Sequence, residues 1–309
     1  MKATQPIQPD PELAIQVHGL TKSYGKVRAL RGIDLAVKHG EVFGFLGPNG
    51  AGKTTTIRCL LDSIRPDGGQ ARLLGIDPQA DPVSVQTRTG YLPGEMAFYD
   101  NLTVERQLRF FSDMRDGRAE WSSVRQLADR LELDLKPQIK NLSKGNKQKV
   151  GVVQALMHHP ELLILDEPTS GLDPLMQQEV LSLLREANVA GATVFFSSHI
   201  MSEVERLAGR VAIIRGGEIV EVAGTESLTH RTLNRLTVRF KQPVDLAALA
   251  RLPGVTILSQ AGQMTVSLQV AGDMQALVRA LGPLPVLDLE TERPSLEEVF
   301  LAYYKGEKI

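Results

Sequence analysis

The chain has 309 residues, of which 35 are basic and 36 acidic, and its formal net charge is −1. This length allows two domains at roughly 150 residues each. The near-neutral balance lacks the basic excess of a protein that clamps a nucleic-acid backbone, so no nucleic acid is expected as a partner and any basic patch must be local. The single cysteine, Cys59, excludes an internal disulfide and lies in an apolar run, where packing is its expected role.

The sequence gives no sign of a targeting segment or of a membrane span. Its start, "MKATQPIQPDPELA", is rich in proline but lacks the apolar core of a signal peptide. No stretch of about 18 apolar residues predicts a membrane helix. We therefore expect a cytoplasmic protein that lies at a membrane only through a partner.

The first elements are predicted to be two strands, then a strand, a turn and a helix. "ELAIQVHGL" (12–20) and "GIDLAVKHG" (32–40) alternate apolar and polar residues, as half-buried strands of a small antiparallel sheet do. "EVFGFL" (41–46) is a short apolar strand, and a glycine-rich turn follows it. The next helix places four apolar residues on one face: Ile57, Leu60, Leu61 and Ile64.

The middle of the chain predicts a helical insertion and then alternating strands and helices. Residues 103–131 are helical in pattern and heavily charged, and we place an insertion at about 100–158, with Trp121 as a packing anchor. Strands follow at "ELLILDE", "ATVFFSSH" and "RVAIIRGG", with a helix after each of the first two. This alternation predicts an α/β domain with a mostly parallel sheet and helices on its faces.

A second, smaller α+β domain is predicted at 232–309, after a first domain at 12–224. "LTVRF" and "MTVSLQV" alternate cleanly, and "DMQALVRAL" predicts a helix capped by Asp273. "PSLEEVFLAYY" contains a Ser295 and Glu298 capping box before an apolar face that should dock. We expect a roughly ferredoxin-like sheet backed by two helices. The two predicted apolar faces consist of Met264, Val266, Leu268 and Val270, and of Met274, Leu277, Val278 and Leu281.

The segment "GPNGAGKT" fits G-x-x-x-x-G-K-[ST] and stands between a strand and a helix, as a phosphate-binding loop must. Backbone N–H groups of such a loop turn inward on phosphate oxygens, Lys53 reaches the outer phosphates and the Thr54 hydroxyl ligates Mg²⁺. The alternative is a glycine turn that arose by chance. The predicted phosphate-binding residues are Gly47, Pro48, Asn49, Gly50, Ala51, Gly52, Lys53, Thr54 and Thr55.

Two acids end the apolar strand "LLILDE", at the edge where open parallel sheets bind ligands. Asp166 is placed to hold Mg²⁺ and its water. Glu167 follows where the chain already turns, so its carboxylate can project toward the γ-phosphate and polarise water. Two exposed acids that merely close a strand are the alternative.

Two further side chains are candidates by position. His199 ends the strand "FFSSH" and should emerge at the same edge, where it either hydrogen-bonds the γ-phosphate or caps the strand. Tyr24 lies in the turn "KSYGK", where it either stacks on adenine or is a surface aromatic.

Together these residues resemble the ATP-binding subunit of ABC transporters, from about Leu13 to Gly224. The ordered motifs are "GPNGAGKTT", the signature "LSKGNKQ", the Walker B strand "LLILDE", the D-loop "SGLD" and the switch histidine of "SSH". The resemblance implies a P-loop ATPase fold that binds ATP and Mg²⁺. It also implies a head-to-tail dimer with a second copy of the chain, in which one copy's signature covers the other's γ-phosphate.

The resemblance also assigns roles. Ser143 and Gly145 become donors to the partner's phosphate, Tyr24 the adenine platform and Asp173 a contact across the dimer. Glu167 becomes the general base and His199 the γ-phosphate sensor. Five lysines, Lys136, Lys140, Lys144, Lys147 and Lys149, would make a positive local field, and a solvated lysine face is the alternative.

The sequence departs from the family pattern in two places. Gly94 of "GYLPGEMAFYD" stands where the family has a glutamine that senses Mg²⁺ and the transmembrane partner, and the adjacent Glu95 is predicted to substitute for it. Lys144 and Asn146 of the signature replace the usual glycine and glutamine.

The "LPGE" and "LSKG" variants and the C-terminal extension resemble the ABC-2 or drug-export branch. That implies a separate multi-span permease and a location at the inner face of the membrane. Two alternatives stay open. One is an ABC-type ATPase acting on nucleic acid or ribosomes, which the charge balance and the lack of a long heptad insertion oppose. The other is a regulatory subunit that uses ATP as a switch and hydrolyses it poorly.

Overall fold

The computed structural model describes residues 7–114, 120–225, 227, 234–270 and 274–292. The chain divides into two compact units between Ala223 and Gly224. The strands of the first unit are β1 (Leu13–Tyr24), β2 (Val27–Lys38), β3 (Val42–Leu46), β4 (Gly68–Leu73), β5 (Thr89–Leu92), β6 (Leu162–Asp166), β7 (Thr193–Ser198), β8 (Arg210–Arg215) and β9 (Glu218–Gly224). Its helices are α1 (Lys53–Leu60), α2 (Pro82–Arg88), α3 (Val104–Asp113), α4 (Trp121–Arg130), α5 (Lys144–Leu156), α6 (Pro174–Val189) and α7 (Met201–Leu207).

The small antiparallel sheet predicted at the start of the chain is present. Strands β1 and β2 pair antiparallel, with Ile15 opposite Val37 and Leu20 opposite Ile33. A third strand, β4, pairs with the other edge of β1. The sequence analysis did not predict β4, because it opens with two glycines, which are depleted in strands.

The larger sheet has six strands in the order β5-β6-β7-β3-β8-β9. The pairs β5–β6, β6–β7, β7–β3 and β3–β8 are parallel, as the alternation of strands and helices predicted. Strand β7 lies between β6 and β3, so that Ser197 is opposite Asp166 and Ser198 is opposite Leu46. The carboxyl ends of these three strands therefore meet at one edge, and that edge is where the motifs emerge.

The core of the larger sheet is aromatic at its centre. The fully buried ring of Phe195 in β7 lies 6.0 Å from that of Phe43 and 5.4 Å from that of Phe45, both in β3. These contacts join the two strands that lead into the predicted phosphate-binding loop and into His199. Their packing therefore holds the site together.

We expect Phe195→Ala to lower the free energy of unfolding of the first unit by about 3–5 kcal/mol, because it leaves a cavity among fully buried rings. Phe195→Leu keeps most of the volume and should cost less. Chemical denaturation of both variants measures the effect. Equal, small losses for the two would show that β7 relaxes into the cavity.

The helical insertion consists of α3, α4 and α5, between β5 and β6. The Thr103 side chain caps α3 by accepting from the Arg106 N–H, and Ser143 caps α5. Trp121 is half-buried, and the guanidinium of Arg109 lies 3.9 Å from its ring centroid. Trp121 therefore packs as predicted and also makes a cation–π contact with Arg109.

The second unit has the order β10 (Asn234–Phe240), α8 (Ala247–Ala250), β11 (Val255–Ala261), β12 (Thr265–Val270), α9 (Gln275–Leu281) and β13 (Val286–Glu292). Its sheet order is β11-β12-β10-β13, and its three strand pairs are antiparallel. This β-α-β-β-α-β arrangement confirms the ferredoxin-like sheet. Of its two described helices, α9 was predicted and α8 was not.

The prediction that Met264 and Val278 belong to the buried apolar faces of the second unit is wrong. Met264 lies before β12 and is half-exposed, because the strand begins only at Thr265. Val278 is also exposed: it lies one position, or about 100° of helix rotation, beyond the buried Leu277 on the two-turn helix α9. The predicted Asp273 cap and the docked helix at 295–304 lie outside the described residues.

Candidate nucleotide-binding and catalytic site

The predicted phosphate-binding loop leads from β3 directly into α1. Gly50 and Gly52 have φ values of +78° and +113°, a conformation that side chains disfavour. A Cβ at Gly52 would also lie 2.8 Å from the Ala29 carbonyl oxygen. The loop can therefore turn its backbone N–H groups toward one point at the start of α1, the geometry that binds phosphate.

Lys53, Glu167 and His199 come together beside this loop. The buried Lys53 ammonium donates to the Gly47 carbonyl at 2.7 Å and lies 3.5 Å from Glu167 Oε1. His199 Nδ1 lies 3.1 Å from the same Oε1. A carboxylate, an ammonium and an imidazole from three sequence regions thus converge at the edge of the sheet.

The backbone directs Glu167 toward this cluster. Its φ of +52° is a left-handed conformation that is uncommon for a non-glycine residue and recurs at functional sites. The Glu167 N–H donates to the Ser197 carbonyl at 3.2 Å and to Ser197 Oγ at 3.1 Å. This turn lets Asp166 and Glu167, which are adjacent in sequence, both reach the site.

Asp166 has the features expected of a metal-binding carboxylate. It is 1% exposed, and Ser197 Oγ donates to its Oδ1 at 2.5 Å. Its Oδ2 is buried and has no hydrogen-bond partner among the described residues. Because a buried carboxylate oxygen without a partner is costly, Oδ2 fits a bound cation or its water.

Gly94 lies against this free oxygen. A Cβ at Gly94 would stand 3.0 Å from Asp166 Oδ2, so the residue at the position of the family's glutamine does face the expected metal position. Glu95, the predicted substitute, is exposed, and its role stays a prediction. Thr54 lies half-buried in the first turn of α1. The described residues contain no cluster of three or more His, Cys, Asp or Glu side chains that could hold a metal.

The signature segment is anchored to the end of the Walker B strand. Ser143 Oγ accepts from the Asn146 N–H at 3.2 Å, so it caps α5 while its own hydrogen can still be donated. A Cβ at Gly145 would lie 2.8 Å from the Gly171 carbonyl oxygen, which places the signature beside the D-loop. Gln148 Nε2 donates to the carbonyls of Glu167 and Pro168, each at 2.9 Å.

The other predicted residues take simpler positions. Asp173 caps α6, its Oδ1 accepting from the N–H groups of Leu175 and Met176 at 3.1 Å. The exposed ring of Tyr24 ends β1, with the Lys22 ammonium 5.8 Å from its centroid. Burial raises the pKa of the Cys59 thiol to about 11, which supports packing rather than chemistry.

The predicted lysine field is smaller than expected. Lys149 is buried within α5, whereas Lys136, Lys140 and Lys144 are exposed. Residues 148–153 of α5 are all buried, so Lys149 lies in a part of the helix that is covered on every side.

Sequence reasoning missed two residues that position the site. Ser197 holds both Asp166 and the backbone of Glu167, and Gln148 holds the turn that follows. Both belonged to quoted motifs, "SSH" and "LSKGNKQ", but were given no role. For Ser197 the available signal was a polar residue after an apolar run, whereas Gln148 lies in a polar segment and gave no such signal.

The comparisons with known proteins agree with this geometry. A family model described as ABC transporter matches residues 30–170. The chain is 32% identical over 302 residues to the linearmycin resistance ATP-binding protein of Bacillus subtilis, covering 93% of this chain and 97% of that protein. The chain belongs to the family of ABC transporter ATP-binding subunits.

Two further similarities extend this result. The daunorubicin/doxorubicin resistance ATP-binding protein of Streptomyces peucetius is 35% identical over 311 residues, covering 94% of this chain and 92% of that protein. A solved structure titled as an ATP binding subunit of an ABC transporter matches with a TM-score of 0.64 at 30% identity, covering 70% of this chain and 92% of that chain.

This ABC subunit is therefore an ATP-binding and ATP-hydrolysing enzyme of the ABC-2 exporter type, as the motifs predicted. Neither the nucleic-acid alternative nor the regulatory alternative is favoured by these relatives. None of the helices in the described part of the chain combines the length and the apolar composition that a membrane span requires.

Proposed function

We propose that two copies of this chain form a Mg²⁺-dependent ATPase that drives a separate membrane permease. The convergence of Lys53, Glu167 and His199 beside the free oxygen of Asp166 carries this proposal. Residues 12–224 form the nucleotide-binding domain and residues 232–309 an accessory domain. The assembly lies at the inner face of the membrane, where the permease holds it.

The proposed reaction is in-line attack of water on the γ-phosphate of ATP. Glu167 accepts a proton from the attacking water, whose oxygen bonds to phosphorus as the bond to the bridging oxygen breaks. Lys53 and His199 hydrogen-bond the γ-phosphate oxygens, and ADP and phosphate result. Thr54 and Asp166 would hold Mg²⁺, which would supply positive charge to the phosphates.

The Lys53–Glu167 contact also suggests how ATP primes the site. In this structure the Lys53 ammonium is shared between the Gly47 carbonyl and the Glu167 carboxylate. Phosphate oxygens carry more charge than a carbonyl and compete for the same ammonium. ATP therefore draws Lys53 away and leaves the Glu167 carboxylate able to accept a proton.

The signature requires a second copy. Ser143 is exposed at the start of α5, as are Asn49 and Gly50 at the tip of the phosphate-binding loop. In the head-to-tail dimer proposed here, the Ser143 hydroxyl and the Gly145 N–H donate to the γ-phosphate bound by the other copy. ATP thus closes the dimer, and hydrolysis reopens it.

A groove beside the "LPGE" segment is the proposed contact with the permease. It has a volume of about 450 Å³ and is lined in part by Pro93, Phe111, Val83 and Met114. Val83 and Met114 are 71% and 66% exposed on the same groove, and exposed apolar patches of this kind mark contacts with other proteins. A cytoplasmic helix of the permease would cover it, next to the Gly94 that faces Asp166.

The cargo is proposed from the relatives alone. Two of them are named for resistance to linearmycin and to daunorubicin/doxorubicin. We propose that this transporter likewise exports a hydrophobic drug-like compound.

An affinity pull-down from detergent-solubilised membranes tests the permease. Glu167→Gln with ATP holds the dimer closed, and a multi-span membrane protein should be recovered in stoichiometric amount. Val83→Glu should reduce that recovery about tenfold or more, because it places a charge in an apolar contact, while leaving the ATPase rate unchanged.

Val189→Glu is the matched control. Val189 is an 83% exposed valine at the end of α6 that does not line the groove. Recovery of only soluble proteins, ribosomes or nucleic acid would overturn the transport proposal. Equal recovery with Val83→Glu and Val189→Glu would overturn the groove as the contact.

A further inference from the structure

A buried carboxylate that the proposed reaction does not use lies behind the site. Glu203, in α7, is 4% exposed. Its Oε2 accepts from Ser198 Oγ at 2.7 Å, and its Oε1 accepts from the buried Thr169 Oγ1. Packing alone would favour an apolar residue here, because burying a carboxylate is costly unless it is hydrogen-bonded.

The two hydroxyls belong to two functional segments. Ser198 immediately precedes His199, and its Oγ also accepts from the Ile200 N–H at 2.9 Å, so it fixes the backbone on both sides of the histidine. Thr169 lies in the turn between Glu167 and the D-loop aspartate, Asp173. Glu203 is therefore a single side chain bonded to both segments.

The two neighbouring serines of β7, Ser197 and Ser198, bind different carboxylates. Adjacent strand residues point to opposite sides, and Ser197 bonds Asp166 while Ser198 bonds Glu203. The Glu167–Asp173 turn is thus held at its start by Ser197 and Gln148 and further along by Glu203. Without Glu203, only Glu167, the first residue of this turn, would be linked by described hydrogen bonds to the end of β7 that leads to His199.

We propose that Glu203 is a positioning residue that makes the switch histidine and the D-loop move as one unit. This inference rests on the proposed function, in which His199 contacts the γ-phosphate of its own copy and Asp173 contacts the other copy. A shift of His199 when phosphate binds or leaves then reaches the dimer contact through Ser198, Glu203 and Thr169. Glu203 touches neither ATP nor water in this scheme.

Steady-state ATPase kinetics and ATP binding of full-length variants test this role. Glu203→Ala and Thr169→Val should each lower kcat about tenfold and leave the Kd for ATP unchanged. The double variant should be no slower than Glu203→Ala alone, because both changes remove the same link. Glu203→Gln should recover most of kcat, since its amide can accept from Ser198 and donate to Thr169.

Thr193→Val is the matched control for lost stability. Thr193 is a buried threonine at the opposite end of β7, and its Oγ1 accepts from the Gly40 N–H at 3.0 Å. It should lower Tm about as much as Thr169→Val but leave kcat unchanged. If Thr169→Val and Glu203→Ala behave like Thr193→Val, or if their effects on kcat add, Glu203 is only a structural residue.

Glu167→Gln and His199→Ala in the same assay separate this inference from the proposed function. If both lose turnover while Glu203→Ala does not, the link fails and the catalytic site stands. If both turn over normally, the proposed site fails and the link fails with it.

Discussion

Glu167→Gln should slow ATP turnover by about 10²–10⁴-fold, the usual effect of losing a general base, while ATP still binds. Glutamine keeps the shape of the side chain but cannot accept a proton from water. It also ends the charge attraction to the Lys53 ammonium 3.5 Å away, so ATP binding should not weaken. Phosphate release and equilibrium nucleotide binding measure the two effects separately.

Glu161→Gln provides the matched control. Glu161 is an exposed residue that immediately precedes β6, at the opposite end of the strand from Glu167. Its carboxylate pairs with the Arg88 guanidinium at 2.6 Å. Exposed ion pairs contribute little, so this variant should turn over like the parent protein. Turnover by Glu167→Gln at the parent rate would rule out Glu167 as the general base and favour another group at this edge.

Asp166→Asn should lower turnover by about 10²–10³-fold and raise the Mg²⁺ concentration needed for half-maximal activity. Asparagine can keep the acceptor for Ser197 at the position of Oδ1. Its amide NH₂ then stands where the unpartnered Oδ2 was, and it presents hydrogens instead of a lone pair to the cation. The fold should be preserved because the volume is unchanged.

Mg²⁺ titration of the ATPase rate distinguishes this effect from general damage. Asp129→Asn makes the same change on an exposed residue of α4 and should leave the Mg²⁺ dependence unaltered. A reduced rate with an unchanged Mg²⁺ requirement would mean that Asp166 acts on the backbone through Ser197 and not on the metal.

The sequence predicted the elements whose local pattern is strong. Strands β3 and β6 are almost wholly apolar and β7 has an apolar centre. The turn after β3 has the glycine spacing of a phosphate-binding loop. The elements that were not predicted are β4, β5, β9 and α2 in the first unit, and β11, β13 and α8 in the second. For α2 a signal was present, because Asp81 and Pro82 form an N-cap followed by proline at the first helical position.

In the candidate site, too, the residues could be predicted from the sequence, but their contacts could not. Lys53, Asp166, Glu167 and His199 could be named in advance, because each ends or follows a strand of a parallel sheet and such ends share one edge. The contacts among them could not, since side-chain distances depend on how β7 is inserted between β3 and β6. Ser197 and Glu203 gained roles only from that arrangement.

The sequence by itself determined the family, the nucleotide chemistry and the two-unit organisation, because these follow from local motifs and from periodicities of 2 and 3.6 residues. The tertiary structure decided which groups meet. It turned Glu167 toward Lys53 through a left-handed backbone, left one oxygen of Asp166 without a partner beside Gly94, and buried Glu203 between two hydroxyls. These features arise from contacts between residues far apart in the chain, and such contacts leave no periodic signal in a single sequence.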